Sequence, residues 1–154
     1  MHPLSAKLNG LPRMYLLDTN VVSETRKGLR ANAGVLRFMH EVVSKGQRTY
    51  IAAPSIGELR YGVERLRHHR DVTQAMQIEV WLNALLKAGS GRVLSLDESC
   101  AQTWGRLMVP DRSNQIDKQI AAIAIINELT LVTRNVRDFQ MRGLSVINPF
   151  TESH

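Results

Sequence analysis

Residues 14–24 read MYLLDTNVVSE, a short apolar run that ends in a polar step. The run Tyr15-Leu16-Leu17 predicts a buried β-strand, and Asp18 closes it. Residues 19–26 then favour a short helix. We therefore expect the folded domain to begin at Met14.

The rest of the chain alternates between helix and strand patterns. Further strands are predicted at residues 49–53, 92–96, 130–133 and 145–147, and further helices at 35–43, 54–66, 72–87, 97–108 and 116–129. Strands separated by helices imply right-handed crossovers. The sequence therefore predicts an α/β fold with a central, mostly parallel β-sheet flanked by helices on both faces.

The predicted elements define one domain at residues 14–150. Residues 1–13 show no apolar period and contain Pro3, Gly10 and Pro12, so we expect an N-terminal tail there. Residues 151–154 form the expected C-terminal tail. A single domain is the usual outcome for a chain of 154 residues.

The composition is that of a soluble globular protein, with 44% hydrophobic and 22% charged residues. The longest apolar run, residues 120–126, is far shorter than the roughly 18 residues that a membrane span requires, so we expect no membrane association. Cys100 is the single cysteine, which excludes a disulfide framework and a cysteine-based zinc cluster. We expect a cytoplasmic protein.

The chain carries a formal net charge of +6, and arginine supplies 15 of its 20 positive side chains. Arginine binds phosphate with two donors at once, so this balance permits a nucleic-acid partner. An arginine-rich genome explains the same numbers without one. Charge alone does not decide between the two interpretations.

Four acids fall at or near the places where parallel strands end or the following helices begin: Asp18, Glu58, Asp117 and Asp138. In a parallel sheet, functional groups gather outside the carboxyl ends of the strands. Converging carboxylates repel one another, and a hard divalent cation such as Mg²⁺ offsets that repulsion. Such a site can activate a water and stabilise displacement at phosphorus.

Each acid also has a purely structural interpretation. Asp18 is suited to cap the helix at residue 19. Ser55 and Glu58 have the spacing of a capping box. Asp117 in a first helical turn is favoured by the helix dipole, and Asp138 suits a turn. The sequence leaves both interpretations open.

Four segments in order, together with a closing strand, carry a family resemblance. They are residues 16–24 (LLDTNVVSE), 55–62 (SIGELRYG), 117–124 (DKQIAAIA), 131–139 (LVTRNVRDF) and 146–150 (VINPF). Together they resemble the motifs of PIN-domain nucleases, specifically toxins of the VapC/FitB type. Two departures are modest: Ser55 stands where threonine is common, and Ile123 replaces a frequent threonine.

The resemblance implies a Mg²⁺- or Mn²⁺-dependent endoribonuclease that cleaves RNA with a metal-activated water. It also implies the toxin of a VapBC-type toxin–antitoxin module, with a cognate antitoxin as partner, and a homodimer. By the same resemblance, Asp18 and Asp117 hold the metal most directly, and Glu58 and Asp138 complete the acidic cluster. Thr133 and Asn135 match polar residues of that cleft.

Two other functions remain open at the level of sequence. One is a non-catalytic, arginine-rich α/β module that binds RNA or protein. A pure phosphate binder has no reason to concentrate carboxylates beside its ligand. The other is a DNA-directed or structure-specific PIN nuclease, which shares the metal chemistry.

Overall fold

The computed structural model describes residues 13–152, so residues 1–12 and 153–154 of the two predicted tails lie outside it. Its strands are β1 (Met14–Leu17), β2 (Arg48–Ala52), β3 (Val93–Leu94), β4 (Thr130–Val132) and β5 (Val146–Ile147). Its α-helices are α1 (Thr19–Thr25), α2 (Ala33–Ser44), α3 (Ala53–His68), α4 (Val72–Ala88), α5 (Glu98–Leu107) and α6 (Gln115–Ile126). Short 3₁₀ turns cover Gly28–Arg30 and Val136–Phe139.

The five strands form one sheet in the order β3-β2-β1-β4-β5, and every neighbouring pair is parallel. Leu16 of β1 stands opposite Tyr50 of β2 on one side and Leu131 of β4 on the other. The predicted α/β fold with a parallel sheet is confirmed.

Helices cover both faces of the sheet, and β1 shows this directly. The side chain of Leu16 belongs to a buried cluster with Ile120 and Ile123 of α6. Its neighbour Leu17 belongs to a second cluster, with Val35 of α2 and Leu82 of α4. Successive side chains of a strand point to opposite faces, so one strand contributes to both cores. No helix within residues 13–152 is long and apolar enough to cross a membrane.

Local structure bears on three of the predictions. Helix α3 continues to His68, two residues beyond the predicted end at residue 66. Asp138 lies in a 3₁₀ turn, which agrees with its interpretation as a turn residue. Val43, the last residue of the predicted helix at 35–43, is 78% exposed although it is apolar. The buried face of α2 leaves it out, because α2 covers the sheet mainly through Val35 and Val42.

The segment after β5 packs onto the start of α2. Asn32 Oδ1 accepts hydrogen bonds from Gly34 N at 2.9 Å and from Thr151 N at 3.0 Å, and Asn32 Nδ2 donates to Thr151 O at 2.7 Å. A Cβ atom on Gly34 would lie 2.1 Å from Pro149 O and 2.8 Å from Thr151 N. Close approach of the two backbones therefore requires glycine at residue 34.

The order of the strands places a crevice between β1 and β4. From β1 the chain moves to β2 and β3 on one side, whereas β4 and β5 lie on the other. In open α/β sheets, ligands bind at such a reversal, outside the carboxyl ends of the strands. Asp18 follows β1 there, and Thr133 follows β4.

Candidate active site

Asp18 is buried at the end of β1 and begins α1 as its N-cap. Its Oδ1 accepts a 2.8 Å hydrogen bond from Thr19 N, and its Oδ2 accepts a 2.7 Å bond from Thr133 Oγ1. The capping interpretation of Asp18 is thus correct, but it does not account for the second oxygen. Capping fixes the carboxylate in place, and the bond to Thr133 ties it to β4.

Asn20 and Thr133 form a polar scaffold around Asp18. Asn20 Nδ2 donates to Asp18 Oδ2 at 3.2 Å and to Thr133 Oγ1 at 3.3 Å. Asn20 Oδ1 accepts from Arg134 N at 3.2 Å, and Asn135 N donates to Thr133 Oγ1 at 3.0 Å. The loop after β4 is therefore held against α1, and Asn135 takes part through its backbone, while its side chain is exposed.

Glu58 reaches the crevice from α3. That helix begins at Ala53 without a side-chain cap, so the capping box predicted for Ser55 and Glu58 is wrong. Glu58 Oε1 instead accepts a 2.6 Å hydrogen bond from Thr19 Oγ1, whose oxygen also lies 2.9 Å from Ser55 Oγ. A helix start two residues before Ser55 puts its hydroxyl inside the first turn, where it faces α1 instead of capping α3.

Asp117 lies in the first turn of α6, as predicted. The helix follows Asn114, whose φ of 54° is left-handed, a conformation that asparagine tolerates. Next to Asp117, the buried Lys118 donates to the backbone oxygen of Asp111, and its Nζ lies 3.8 Å from the Asp111 carboxylate. This ammonium group ties the polar loop before α6 to the first turn of the helix that carries Asp117.

The four acids lie close enough for their charges to act on one another. Partial burial is the main cause that raises the pKa of Asp117 to about 6, and the charges of Asp18, Glu58 and Asp138 act in the same direction. Burial also raises the pKa of Asp18, although its three hydrogen bonds oppose the shift and Asp138 adds to it. The side chain of Asp138 itself is exposed. Asp18 and Asp117 therefore favour the protonated form more than an isolated aspartate does.

The donor set fits a hard divalent cation. Every candidate ligand is a carboxylate oxygen. A cation would offset both the burial of charge and the repulsion that together raise the pKa of Asp117. Within residues 13–152, no three His, Cys, Asp or Glu side chains are arranged to hold a metal ion. Mg²⁺ is usually bound through one or two carboxylates and keeps several waters, so it does not need a closed cage.

Sequence reasoning missed the roles of Thr19, Asn20 and Ser55. Thr19 connects α1 to Ser55 and Glu58 of α3. Asn20 connects Asp18 to Thr133, the residue after β4. Two of them directly follow Asp18, and the third stands three residues before Glu58. The signal that identifies them is a hydroxyl or amide close to an acid that ends a strand or enters a helix.

Comparison with known proteins agrees with this geometry. A family model described as PIN domain matches residues 15–142. The chain belongs to the PIN-domain family. The resemblance to VapC/FitB-type toxins noted from the motifs is confirmed.

Two curated relatives of this PIN-domain protein align along almost their entire length. Plasmid stability protein StbB of Pseudomonas syringae pv. tomato is 33% identical over 142 residues, covering 89% of this chain and 99% of the relative. VapC ribonuclease Y4jK of Sinorhizobium fredii is 29% identical over 146 residues, covering 89% and 98%. The crystal structure of FitAcB from Neisseria gonorrhoeae matches with a TM-score of 0.74 and 28% identity, over 88% of this chain and 98% of that one.

Proposed function

We propose that this PIN-domain protein is a Mg²⁺- or Mn²⁺-dependent endoribonuclease and the toxin of a toxin–antitoxin pair. One arrangement carries the proposal: Thr19 donates hydrogen bonds to both Asp18 and Glu58 where β1 ends, and the charges of Asp18, Glu58 and Asp138 act on Asp117. A cluster of like charges is costly for folding unless a cation binds there. The relative named as a VapC ribonuclease supports the choice of nuclease.

Asp18 and Asp117 are the residues proposed to hold the metal most directly, with Glu58 and Asp138 completing the cluster. Bound there, Mg²⁺ would activate a water and neutralise charge on the phosphate.

The contribution of the chain's other side chains is to orient the carboxylates. Thr133 and Asn20 donate hydrogen bonds to Asp18 Oδ2, and Thr19 donates one to Glu58 Oε1. The orientation of both carboxylates is therefore fixed.

We propose RNA as the substrate, with exposed arginines providing phosphate contacts. The partner expected for a toxin of this type is a cognate antitoxin that blocks the cleft. A homodimer and a cytoplasmic location are part of the same proposal. The homodimer derives from the likeness to VapC/FitB toxins, and the location from the single cysteine together with that likeness.

Cleavage of a fluorescent single-stranded RNA tests the function. The protein should cut this RNA with Mg²⁺ and stop when a chelator is added. Asp117→Asn should lose cleavage, because the variant removes a charge that a cation needs. The matched control is Glu41→Gln, which makes the same carboxylate-to-amide change on the exposed side of α2, where Glu41 pairs with Lys45 at 3.8 Å.

Three outcomes would contradict the proposal. Cleavage that continues after the chelator is added would show that the activity does not depend on a metal. Cleavage of single-stranded or duplex DNA in preference to RNA would make the protein a DNA-directed PIN nuclease. RNA binding without cleavage at any metal concentration would favour the alternative of a non-catalytic, arginine-rich RNA-binding module.

A further inference from the structure

A cavity of about 230 Å³ lies directly beside Glu58. Its apolar walls come from α3 and α4 and include Leu66, Ile78 and Trp81. Its polar side is formed by Thr19 and Glu58, the pair joined by the 2.6 Å hydrogen bond. The cavity and the acidic cluster therefore share a wall.

The charges around the cavity restrict what it can hold. Glu58 is part of the lining and disfavours an anionic group in the cavity, so a phosphate does not fit there. The exposed Arg26, just after α1, also lines the cavity and offers an anion a contact at its edge. A neutral, flat group with a phosphate attached to it satisfies both features.

A nucleobase of single-stranded RNA has this chemistry. Unstacked bases bind between aromatic and apolar side chains, while the sugar–phosphate chain stays on a basic surface. Trp81 is half-buried and offers an indole to such a base. Pockets of this kind are apolar with a few polar groups that fix orientation.

We infer that this cavity binds one base of the RNA next to the scissile phosphate and so contributes to the choice of cleavage sequence. The inference rests on the proposed ribonuclease function and identifies a specificity site for it. Because Thr19 and Glu58 belong both to the cavity and to the acidic cluster, a base in the cavity belongs to a nucleotide next to the one at the acids.

Gly62 allows the cavity to be filled without damage to the fold. It lies on α3, lines the cavity, and has no atom within 4 Å of the position of an added Cβ. Leucine is a much better helix former than glycine, so Gly62→Leu should fold at least as well as the parent. Gly105→Leu in α5 is the matched control, because Gly105 has equally open surroundings and does not line this cavity.

The experiment uses a single-stranded RNA library with randomised sequence and maps the cut ends by sequencing. The parent and Gly105→Leu should show a base preference at a position flanking the cut. Gly62→Leu should lose the preference at that one position, with KM raised about tenfold, the usual scale for one stacked base. Its kcat should change less than about threefold, because the acids are untouched.

A second measurement detects contact between RNA and Trp81 in the absence of cleavage. In Asp117→Asn combined with Trp104→Phe, Trp81 is the sole tryptophan, and added RNA from the library should quench its fluorescence. Adding Gly62→Leu to this protein should abolish the quenching.

Each remaining outcome separates the two hypotheses. If the parent cuts no RNA, the ribonuclease function fails. If the parent cuts RNA but Gly62→Leu keeps the full preference and KM, the base site is wrong and the nuclease stands. The base site is also wrong if Gly62→Leu cuts like the parent and only escapes inhibition by its antitoxin, because the cavity then serves that protein.

Discussion

Thr133 Oγ1 donates a 2.7 Å hydrogen bond to Asp18 Oδ2, although the two residues are 115 positions apart in the chain. Both are buried, and they directly follow the neighbouring strands β1 and β4. The hydroxyl also accepts from Asn135 N at 3.0 Å, so one side chain fixes the carboxylate and the loop after β4 together. Thr133 is therefore a positioning residue for Asp18.

Thr133→Val tests this role. Valine has nearly the same shape but leaves Asn135 N without its acceptor and Asp18 Oδ2 without its shortest bond. We expect a loss of about 1–3 kcal/mol in the free energy of unfolding, the usual cost of an unpaired buried group. RNA cleavage should fall in kcat by tenfold or more, measured under saturating substrate. Thr133→Ser restores the hydroxyl and should recover most of the activity; equal losses in both variants would show that packing matters and not the hydrogen bond.

Glu58→Gln distinguishes a structural acid from a functional one. Glutamine keeps an oxygen that can accept from Thr19, so the melting temperature should stay within about 2 °C of the parent. Cleavage should fall at least a hundredfold, because the acidic cluster loses one charge. If the variant is as active as the parent at several Mg²⁺ concentrations, Glu58 has only a structural role.

The sequence predicted the fold well because its pattern is strong and local. The apolar run before Asp18 and the apolar helix at residues 120–124 are buried on every side, so no alternative packing suits them. Their order along the chain then allows few topologies. The four acids were selected on a similar argument, because the ends of parallel strands and the helices that follow them meet at one edge of the sheet. Their role as metal ligands stays a prediction.

The partners of those acids were not predictable from spacing. Ser55 and Glu58 fit a capping box, yet α3 begins at Ala53, because Pro54 is favoured in the first turn of a helix. Once the helix starts there, Glu58 is free to meet Thr19 on α1, a contact across 39 positions. Only the crossing of α1 and α3 brings these side chains together. Local sequence patterns therefore predict where a helix begins, whereas long-range packing determines which side chains contact one another.

Gly34→Ala should destabilise the protein strongly. The new Cβ would lie 2.1 Å from Pro149 O, so the segment after β5 must move away from α2 and lose the bonds between Asn32 and Thr151. We expect a loss of about 2–4 kcal/mol, measured by denaturant titration, since both overpacking and a disrupted cap contribute. Gly57→Ala, a helical glycine with open space around its Cβ, should instead be neutral or stabilising. Two variants of equal stability would contradict the close approach.

The acidic cluster should make the metal-free protein less stable as the pH rises. The pKa of Asp117 is about 6 in the folded protein and near 3.8 when unperturbed. Between these values the folded state binds more protons than the unfolded state, so the free energy of unfolding falls from about pH 4 to pH 6 and then levels off. Because Asp117 is only partly buried, solvent screening reduces the effect of this pKa difference, and we expect a loss on the order of 1–2 kcal/mol.

Asp117→Asn removes that titration and gives the matching experiment. Without metal, the variant should be as stable as the parent at pH 5 and more stable at pH 7, because the repulsion among the acids has decreased. Millimolar Mg²⁺ should raise the melting temperature of the parent at pH 7, since a ligand of the folded state alone stabilises it, and should raise that of the variant much less. Melting curves at both pH values, with and without Mg²⁺, measure all three effects. A parent whose stability is the same at pH 5 and pH 7, or which gains nothing from Mg²⁺, would refute the metal site at Asp117.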